Sequence, residues 1–390
     1  VLHYWTSGGE AKSAAELKKM MQAKGHTWRD FAVAGGGGDS AMTVLKSRVI
    51  SGNPPSAAQV KGPAIQEWAS EGVLGNMDAL AKSEKWDEAL PKVVADVMKY
   101  KGNYVAAPVN VHRVNWIWAS SDALKKAGVA AMPKTWDEFF AAADKLKAAG
   151  LIPVAHGGQN WQDFTTFESV VLGVGGPKFY QDALVKLDDK ALTSDTMKKS
   201  LETFRRIKTY TDPGAPGRDW NLATAMLIQG KAGFQLMGDW AKGEFIAAGK
   251  APGKDFMCAA APGTANAFTF NVDSFILFKL KDAAAQKAQS DLASAIMSPG
   301  FQEVFNLNKG SIPVRAGQSM DKFDDCAKAS AKDFADTAKS GGLVPSVAHG
   351  MAIAPATEGA IKDAVSQFWN DDKVSVADAM KKIATAAKTK

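Results

Sequence analysis

The stretch Val1-Leu2-His3-Tyr4-Trp5-Thr6-Ser7-Gly8-Gly9-Glu10 decides the fold, because a strand, a turn and the start of a helix follow one another within it. Apolar and aromatic side chains fill its first half, which is typical of a buried strand. A Ser-Gly-Gly turn comes next, and the residues from Glu10 to about Lys24 are predicted to form a helix. This order is the opening step of an α/β fold.

The same alternation of strands and amphipathic helices continues almost throughout the chain. It predicts α/β lobes with largely parallel sheets. A chain of 390 residues is longer than one hydrophobic core usually serves, so two lobes are expected. Further strands are predicted at 28–33, 57–60, 105–109, 111–119, 151–155, 231–237, 256–260 and 267–280.

Composition and charge exclude several classes of protein. Hydrophobic residues make up 46% and charged residues 23%, as in ordinary soluble globular proteins. No apolar run approaches the ~20 residues that a transmembrane helix needs. The net charge of +6 is spread along helices and accompanies no nucleic-acid-binding module, which indicates solvated helix faces. The chain starts at Val1 without Met, as we expect of a processed mature protein.

The cysteines and histidines limit the possible chemistry. Cys258 and Cys326 suit one disulfide in an oxidising compartment, with two separate buried thiols as the alternative. None of the five histidines has metal-ligand spacing, so neither a metal site nor a cofactor is expected. Serine-hydrolase and zinc-protease motifs are absent. A carboxylate pair for glycoside hydrolysis, using Glu10 and Asp273, is the remaining enzyme hypothesis.

Aromatic and polar side chains at strand ends form the candidate site. The indole of Trp5 and the carboxylate of Glu10 suit a polyhydroxylated ligand, since an indole stacks on a sugar ring and a carboxylate accepts hydroxyl protons. Gly38 ends a four-glycine turn that lets backbone N–H groups approach a ligand, or is purely structural. Lys61 follows a short strand, where open α/β sheets bind ligands; an exposed surface lysine is the alternative.

Two later segments add to this site. Trp240 follows a predicted strand in Gly238-Asp239-Trp240 and is either a ligand platform or a core aromatic; Asp239 is a possible helix N-cap. Asn271 and Asp273 fall on one face of a predicted strand, because strand side chains alternate. Two polar groups on a phenylalanine-rich strand favour a cleft over a core.

Taken in this order, the motifs resemble those of periplasmic solute-binding proteins of ABC-type sugar importers. The resemblance is closest to the bacterial glucose-binding branch, whose members typically open with two tryptophans and Thr-Ser-Gly-Gly-Glu. Tyr4 stands in place of the first tryptophan. The similarity extends to Lys309 ahead of Gly310-Ser311-Ile312-Pro313 and to His349 in a late loop.

This resemblance implies an α/β, two-lobed periplasmic binding protein (type II-like) whose discontinuous lobes are joined by a hinge, with the ligand in the cleft. The N-terminal lobe would comprise 1–109 plus about 271–315, and the C-terminal lobe 111–270 plus about 316–390. Cys258 and Cys326 would share one lobe, which is consistent with a disulfide between them.

The implied function is that of an extracytoplasmic substrate-binding component, not an enzyme, which binds a neutral monosaccharide, glucose above all. A related hexose or a short oligosaccharide is the alternative ligand. Permease subunits would be the partners of a periplasmic monomer, and no nucleic acid is involved. Two acids opposite two lysines would suit an uncharged ligand. The implied ligand-binding residues are Tyr4, Trp5, Glu10, Gly38, Lys61, Trp240, Asn271, Asp273, Lys309 and His349.

Three residues carry weaker expectations. Trp161 would be a loop aromatic, and Arg113 a polar contact between lobes, as in relatives. Tyr4 either lines the site or packs against the helix that starts near Glu10 without meeting the ligand.

Overall fold

The computed structural model describes residues 1–390, which form two compact units. The first unit comprises Val1–His112 and Val272–Phe323, and the second comprises Arg113–Asn271 and Asp324–Lys390. The chain therefore passes from one unit to the other three times. Among the helices, none has both the length and the apolar character that a membrane span requires.

Both units mix strands and helices. The strands are β1 (Leu2–His3), β2 (Phe31–Ala32), β3 (Ala57–Gln59), β4 (Lys99–Tyr100), β5 (Asn103–Tyr104), β6 (Ala106–Pro108), β7 (His112–Arg113), β8 (Trp116–Ser120), β9 (Ile152–Val154), β10 (Ala232–Leu236), β11 (Phe256–Ala260), β12 (Phe268–Asn271), β13 (Ser274–Leu277) and β14 (Leu343–Pro345).

The helices cover most of the remaining chain, and a π-helical segment (Gln181–Val185) extends the ninth of them. They are α1 (Gly8–Ala23), α2 (Asp39–Ile50), α3 (Pro63–Ser70), α4 (Asp78–Ser83), α5 (Trp86–Ala89), α6 (Lys92–Val97), α7 (Ser121–Ala127), α8 (Trp136–Ala148), α9 (Asn160–Tyr180), α10 (Asp189–Leu192), α11 (Asp195–Lys208), α12 (Trp220–Ile228), α13 (Ala241–Ala247), α14 (Ala283–Met297), α15 (Pro299–Lys309), α16 (Asp325–Ser340), α17 (Pro355–Asn370) and α18 (Val376–Ala386).

The first unit is built on a five-stranded sheet in the order β2-β1-β3-β13-β6. β1 pairs in parallel with β2 and β3, and α1 and α2 supply the crossovers that parallel neighbours require. β13 runs antiparallel to both β3 and β6. The sheet is therefore mixed, and the prediction of a largely parallel sheet is wrong here. β13 belongs to a distant chain segment whose direction no local pattern fixes.

The second unit contains a four-stranded sheet, β11-β8-β10-β9, in which only the β10–β9 pair is parallel. β12 also pairs in parallel with β14. Helix α9 is central, since every residue from Trp161 to Leu172 is buried. Several polar side chains in that stretch find partners inside the protein, among them Asp163, Thr165 and Glu168.

Three predicted strands are shorter or interrupted in the structure. Only 31–32 of the predicted strand 28–33 pairs. The predicted strand 111–119 is split into β7 and β8, because the side chain of Asn115 between them bonds the backbone N–H of Thr269 (2.9 Å) and the hydroxyl of Thr264 (3.0 Å). The predicted strand through 267–280 is also broken, between Asn271 and Ser274.

A disulfide joins Cys258 on β11 to Cys326 in the first turn of α16, with the Cα atoms 6.3 Å apart. Both cysteines lie in the second unit. The bond ties an edge strand of the four-stranded sheet to the helix that begins where the chain re-enters this unit.

Candidate functional site

The turn after β1 carries an ion pair anchored by a helix cap. The Ser7 hydroxyl accepts the backbone N–H of Glu10, and the Glu10 carboxylate accepts the backbone N–H of Ser7, each over 3.4 Å. This reciprocal capping box starts α1 and fixes the Glu10 side chain. The other Glu10 oxygen lies 3.2 Å from Nζ of Lys309, at the end of α15, and both side chains are buried.

Tyr4 packs closely against Gly38. Gly38 precedes α2 with a φ of +84°, and a Cβ at this position would lie only 2.8 Å from two carbons of the Tyr4 ring. The Tyr4 backbone N–H donates to Oε1 of Gln59 (3.1 Å), and Nζ of Lys61 lies 5.7 Å from the centre of the Tyr4 ring. Backbone conformation and close approach therefore both require glycine at position 38.

Trp5 lies among other aromatic rings of the first unit. Its ring centre is 5.5 Å from that of Phe275, 5.2 Å from that of Phe305 and 5.7 Å from that of His3. Edge and tilted contacts of this kind are typical of an aromatic core cluster. Trp5 thus has a packing role in this unit beside any contact with a ligand.

Asp273 occupies the centre of a buried hydrogen-bond network. Its carboxylate accepts from the side chains of Gln59 (3.3 Å) and Asn110 (2.9 Å) and pairs with Nε2 of His112 (2.8 Å). Asn110 also accepts the backbone N–H of Asp273 over 2.9 Å. These bonds orient the carboxylate firmly, because several elements of the first unit contribute to them.

The charge of Asp273 is stabilised in spite of its burial. Burial by itself raises the pKa of Asp273, yet this pKa lies well below its ordinary value. The charge and hydrogen bond of His112 and the charges of Lys309 and Lys61 together outweigh the desolvation. The carboxylate is therefore ionised at neutral pH and surrounded by positive charge.

In the second unit, Trp240 and His349 pack against each other. Their ring centres are 4.7 Å apart in an edge-to-face arrangement, and Trp161 contacts His349 from another direction at 5.5 Å. A Cβ on Gly238 would lie 2.1 Å from the Trp240 ring, so only glycine leaves room for this ring. Trp161 lies in the first turn of α9, which corrects its predicted position in a loop.

A hydrogen bond from α9 holds the His349 ring. The Thr165 hydroxyl lies 2.8 Å from the backbone oxygen of Trp161 and 3.1 Å from Nε2 of His349. A hydroxyl can donate one hydrogen bond and accept others, so Thr165 can bond both groups at once. The His349 ring is therefore held in place by the first turns of α9.

Asn271, the last residue of β12, carries a buried acceptor that the protein leaves unmatched. Its side-chain oxygen has no hydrogen-bond partner, although the residue is only 3% exposed. A buried polar atom of this kind costs about 1–3 kcal/mol unless a donor reaches it. Because the predicted strand breaks after β12, Asn271 belongs to the second unit and Asp273 to the first, so they do not share one strand face as predicted.

Two weaker expectations are also located in the second unit. Arg113 is fully buried there and binds Asp333 over 2.7 Å. The Asp239 carboxylate accepts the backbone N–H of Arg113 (2.9 Å) and does not cap α13, whose N-cap residue is Trp240. The N-cap alternative for Asp239 is therefore wrong.

Comparison with known proteins identifies the family. The model of the family described as bacterial extracellular solute-binding protein matches residues 9–295. The chain belongs to this family. A "Probable sugar-binding periplasmic protein" of Brucella suis biovar 1 is 49% identical over 99% of this chain and 91% of the relative. A protein with the same description from Rhizobium meliloti is 49% identical over 95% of this chain and 89% of its own length.

A solved structure supports the same fold. The chitin oligosaccharide binding protein superposes with a TM-score of 0.83 at 18% identity, covering 99% of this chain and 96% of that protein. This likeness confirms the predicted α/β binding-protein fold class. Membership of a solute-binding family confirms that the protein is a binding protein and not an enzyme.

The structure brings the predicted residues together in two groups, one in each unit. The first unit holds Tyr4, Trp5, Glu10, Gly38, Lys61, Asp273 and Lys309, and the second holds Trp240, Asn271 and His349. The sequence analysis missed the polar partners of Asp273. The spacing of Asn110 and His112, two polar residues on one face of a short extended segment, is the signal that points to them.

Proposed function

We propose that this solute-binding protein is the extracytoplasmic sugar-binding component of an ABC importer and that its ligand is a neutral monosaccharide, with glucose as the first candidate. The class of ligand is supported by the two relatives, which share about half of their residues with this chain and are described as sugar-binding. Glucose is supported by the opening motif and its resemblance to the glucose-binding branch.

The main observation in favour of an uncharged ligand is the balance of charge in the first unit. The carboxylates of Glu10 and Asp273 face the ammonium groups of Lys309 and Lys61, so these four charges cancel. A phosphate or carboxylate ligand needs unbalanced positive charge, which this arrangement does not offer. Oriented carboxylates and lysines suit the hydroxyl groups of a sugar, which both donate and accept hydrogen bonds.

The second unit would contribute a different chemistry to the same ligand. Trp240 offers an indole, His349 a fixed ring, and Asn271 a buried acceptor that matches a sugar hydroxyl donor. A sugar that binds residues of both units would favour the closed form of the protein, because only that form makes both sets of contacts. Permease subunits in the membrane would receive the sugar from this closed form. The protein would act in the periplasm as a monomer.

Titration of tryptophan fluorescence with glucose, mannose, galactose, maltose and glucose 6-phosphate tests this proposal. We expect the tightest binding with a neutral hexose, no turnover of the sugar and at least a hundredfold weaker binding of the phosphate. Tightest binding of maltose would favour an oligosaccharide ligand. Preference for the phosphate, or no binding of any sugar, would refute the proposal.

Matched tryptophan variants test the site. Trp240 and Trp220 are both buried in one apolar cluster of the second unit, but only Trp240 is a predicted ligand contact. We expect Trp240→Leu to weaken sugar binding at least fivefold, since stacking is worth about 1 kcal/mol or more. Trp220→Leu is expected to lower stability with little change in affinity. Equal losses of affinity would contradict the assignment of Trp240.

A further inference from the structure

Glu168 is a fully buried carboxylate on α9 that the proposed site does not yet use. It holds the loop 345–350, called here the His349 loop, through three groups of that loop. One carboxylate oxygen accepts the hydroxyl of Ser346 (2.6 Å), and the other accepts the backbone N–H groups of Val347 and Ala348 (2.9 Å each). A single side chain therefore satisfies three successive residues of the loop.

The contact with Ser346 continues to His349. The Ser346 hydroxyl, which donates to Glu168, accepts the backbone N–H of His349 over 3.2 Å. The His349 ring is then held by Thr165, which lies less than one helical turn before Glu168 on the same helix. One buried segment of α9 thus holds both the backbone of His349, through Ser346, and its ring, through Thr165.

The His349 loop is also registered against the end of β12. Pro345 pairs with Phe270, and the backbone N–H of Ser346 donates to the backbone oxygen of Phe270 over 3.0 Å. Asn271, with its unmatched oxygen, is the next residue of that strand. The loop, which contains one predicted ligand contact of the second unit, is therefore fixed relative to another, Asn271.

A purely apolar residue at position 168 would fill the space at lower cost. Burying a carboxylate without a cationic partner is expensive, and it is tolerated only where several donors converge on it. Besides the loop, only the hydroxyl of Tyr180 reaches Glu168 (3.2 Å). The donors of the His349 loop thus account for most of the hydrogen bonds that stabilise this carboxylate.

We propose that Glu168 is a positioning residue for ligand binding, which fixes the His349 loop and acts on the ligand through His349. This inference rests on the proposed function, because it takes His349 to contact the sugar. Glu168 itself meets no ligand: it is 0% exposed and all of its contacts are internal to the second unit.

Three variants separate positioning from general stability. Glu168→Ala removes the acceptor and leaves the three donors of the loop without a hydrogen-bond partner. Glu168→Gln keeps an acceptor for the two backbone N–H groups, and its amide can donate to the Ser346 hydroxyl. Asp163→Asn is the matched control: Asp163 is equally buried on α9, but it binds His156 (2.7 Å) and Ser366 (2.6 Å) instead of the loop.

The first measurement is backbone hydrogen exchange of 346–349 in the protein without sugar. We expect exchange to rise at least tenfold in Glu168→Ala and to change little in Glu168→Gln and Asp163→Asn. Ser346→Ala removes the hydroxyl that bonds both Glu168 and His349 but leaves the two backbone N–H groups bonded to Glu168. It provides a smaller perturbation should Glu168→Ala fail to fold. Unchanged exchange in both Glu168→Ala and Ser346→Ala would overturn the proposal.

The second measurement is hexose affinity, alone and combined with His349→Ala. We expect Glu168→Ala to weaken binding at least fivefold in the wild-type background and less than twofold when His349 is already absent. An equal loss in both backgrounds would show that Glu168 does not act through His349. A wild-type protein that bound no sugar would refute the proposed function, whereas the exchange result would still decide whether Glu168 holds the loop.

Discussion

Replacing Gly38 by alanine should disturb the first unit through two separable effects. At a φ of +84° an L-residue costs about 1–2 kcal/mol. The new Cβ would also lie 2.8 Å from the Tyr4 ring. The ring would have to retreat by roughly 0.7 Å to reach the ~3.5 Å of an ordinary carbon contact, and overpacking of this kind costs about 1–3 kcal/mol. We therefore expect Gly38→Ala to lose about 2–5 kcal/mol of stability.

Gly25 provides the matched control, since its φ is +85° and no atom lies within 4 Å of a Cβ built there. Gly25→Ala should lose only the backbone contribution of about 1–2 kcal/mol. Urea denaturation of both variants measures the difference, and sugar titration should show weaker binding for Gly38→Ala alone, because Tyr4 moves. Equal losses of stability in the two variants would refute the reasoning, since contact with Tyr4 would then contribute nothing.

Three further predictions concern the disulfide, pH and Tyr4. Cys258→Ser should lower the stability of the second unit by about 4 kcal/mol, given the 68-residue separation of Cys258 from Cys326, and added reductant should then have no further effect on its melting temperature. Burial raises the pKa of Glu168 from 4.5 to about 7, so between these pH values the folded protein holds a proton that the unfolded chain has lost. The free energy of unfolding should therefore fall by about 3 kcal/mol as the pH rises from 4.5 to 7. Glu168→Gln should remove this pH dependence in urea denaturation at a series of pH values. Tyr4→Trp should change sugar affinity only modestly, whereas a Tyr4→Ala protein that binds normally but melts earlier would make Tyr4 purely structural.

Local patterns predicted much of the site but not its internal contacts. The opening strand, the turn and α1 follow from the first 24 residues, because a strand, a capped helix start and apolar periodicity are local signals. The Ser7–Glu10 capping box was missed, although its Ser-x-x-Glu spacing is visible in the sequence. The pairing of Glu10 with Lys309 joins residues 299 positions apart, and no spacing rule reports such a contact.

The sequence by itself determined that this protein is an α/β binding protein, since strand and helix periodicity and a set of ordered motifs are properties of the linear chain. The tertiary structure decided what only long-range contacts can fix. It set the antiparallel direction of β13, divided Asn271 and Asp273 between two units, and surrounded Asp273 with Gln59, Asn110 and His112. It also placed Glu168 beneath a loop about 180 residues away. Buried polar groups bond to whatever partners lie near them in space. The free energy of burying these groups therefore depends on contacts that form only when the whole unit has folded.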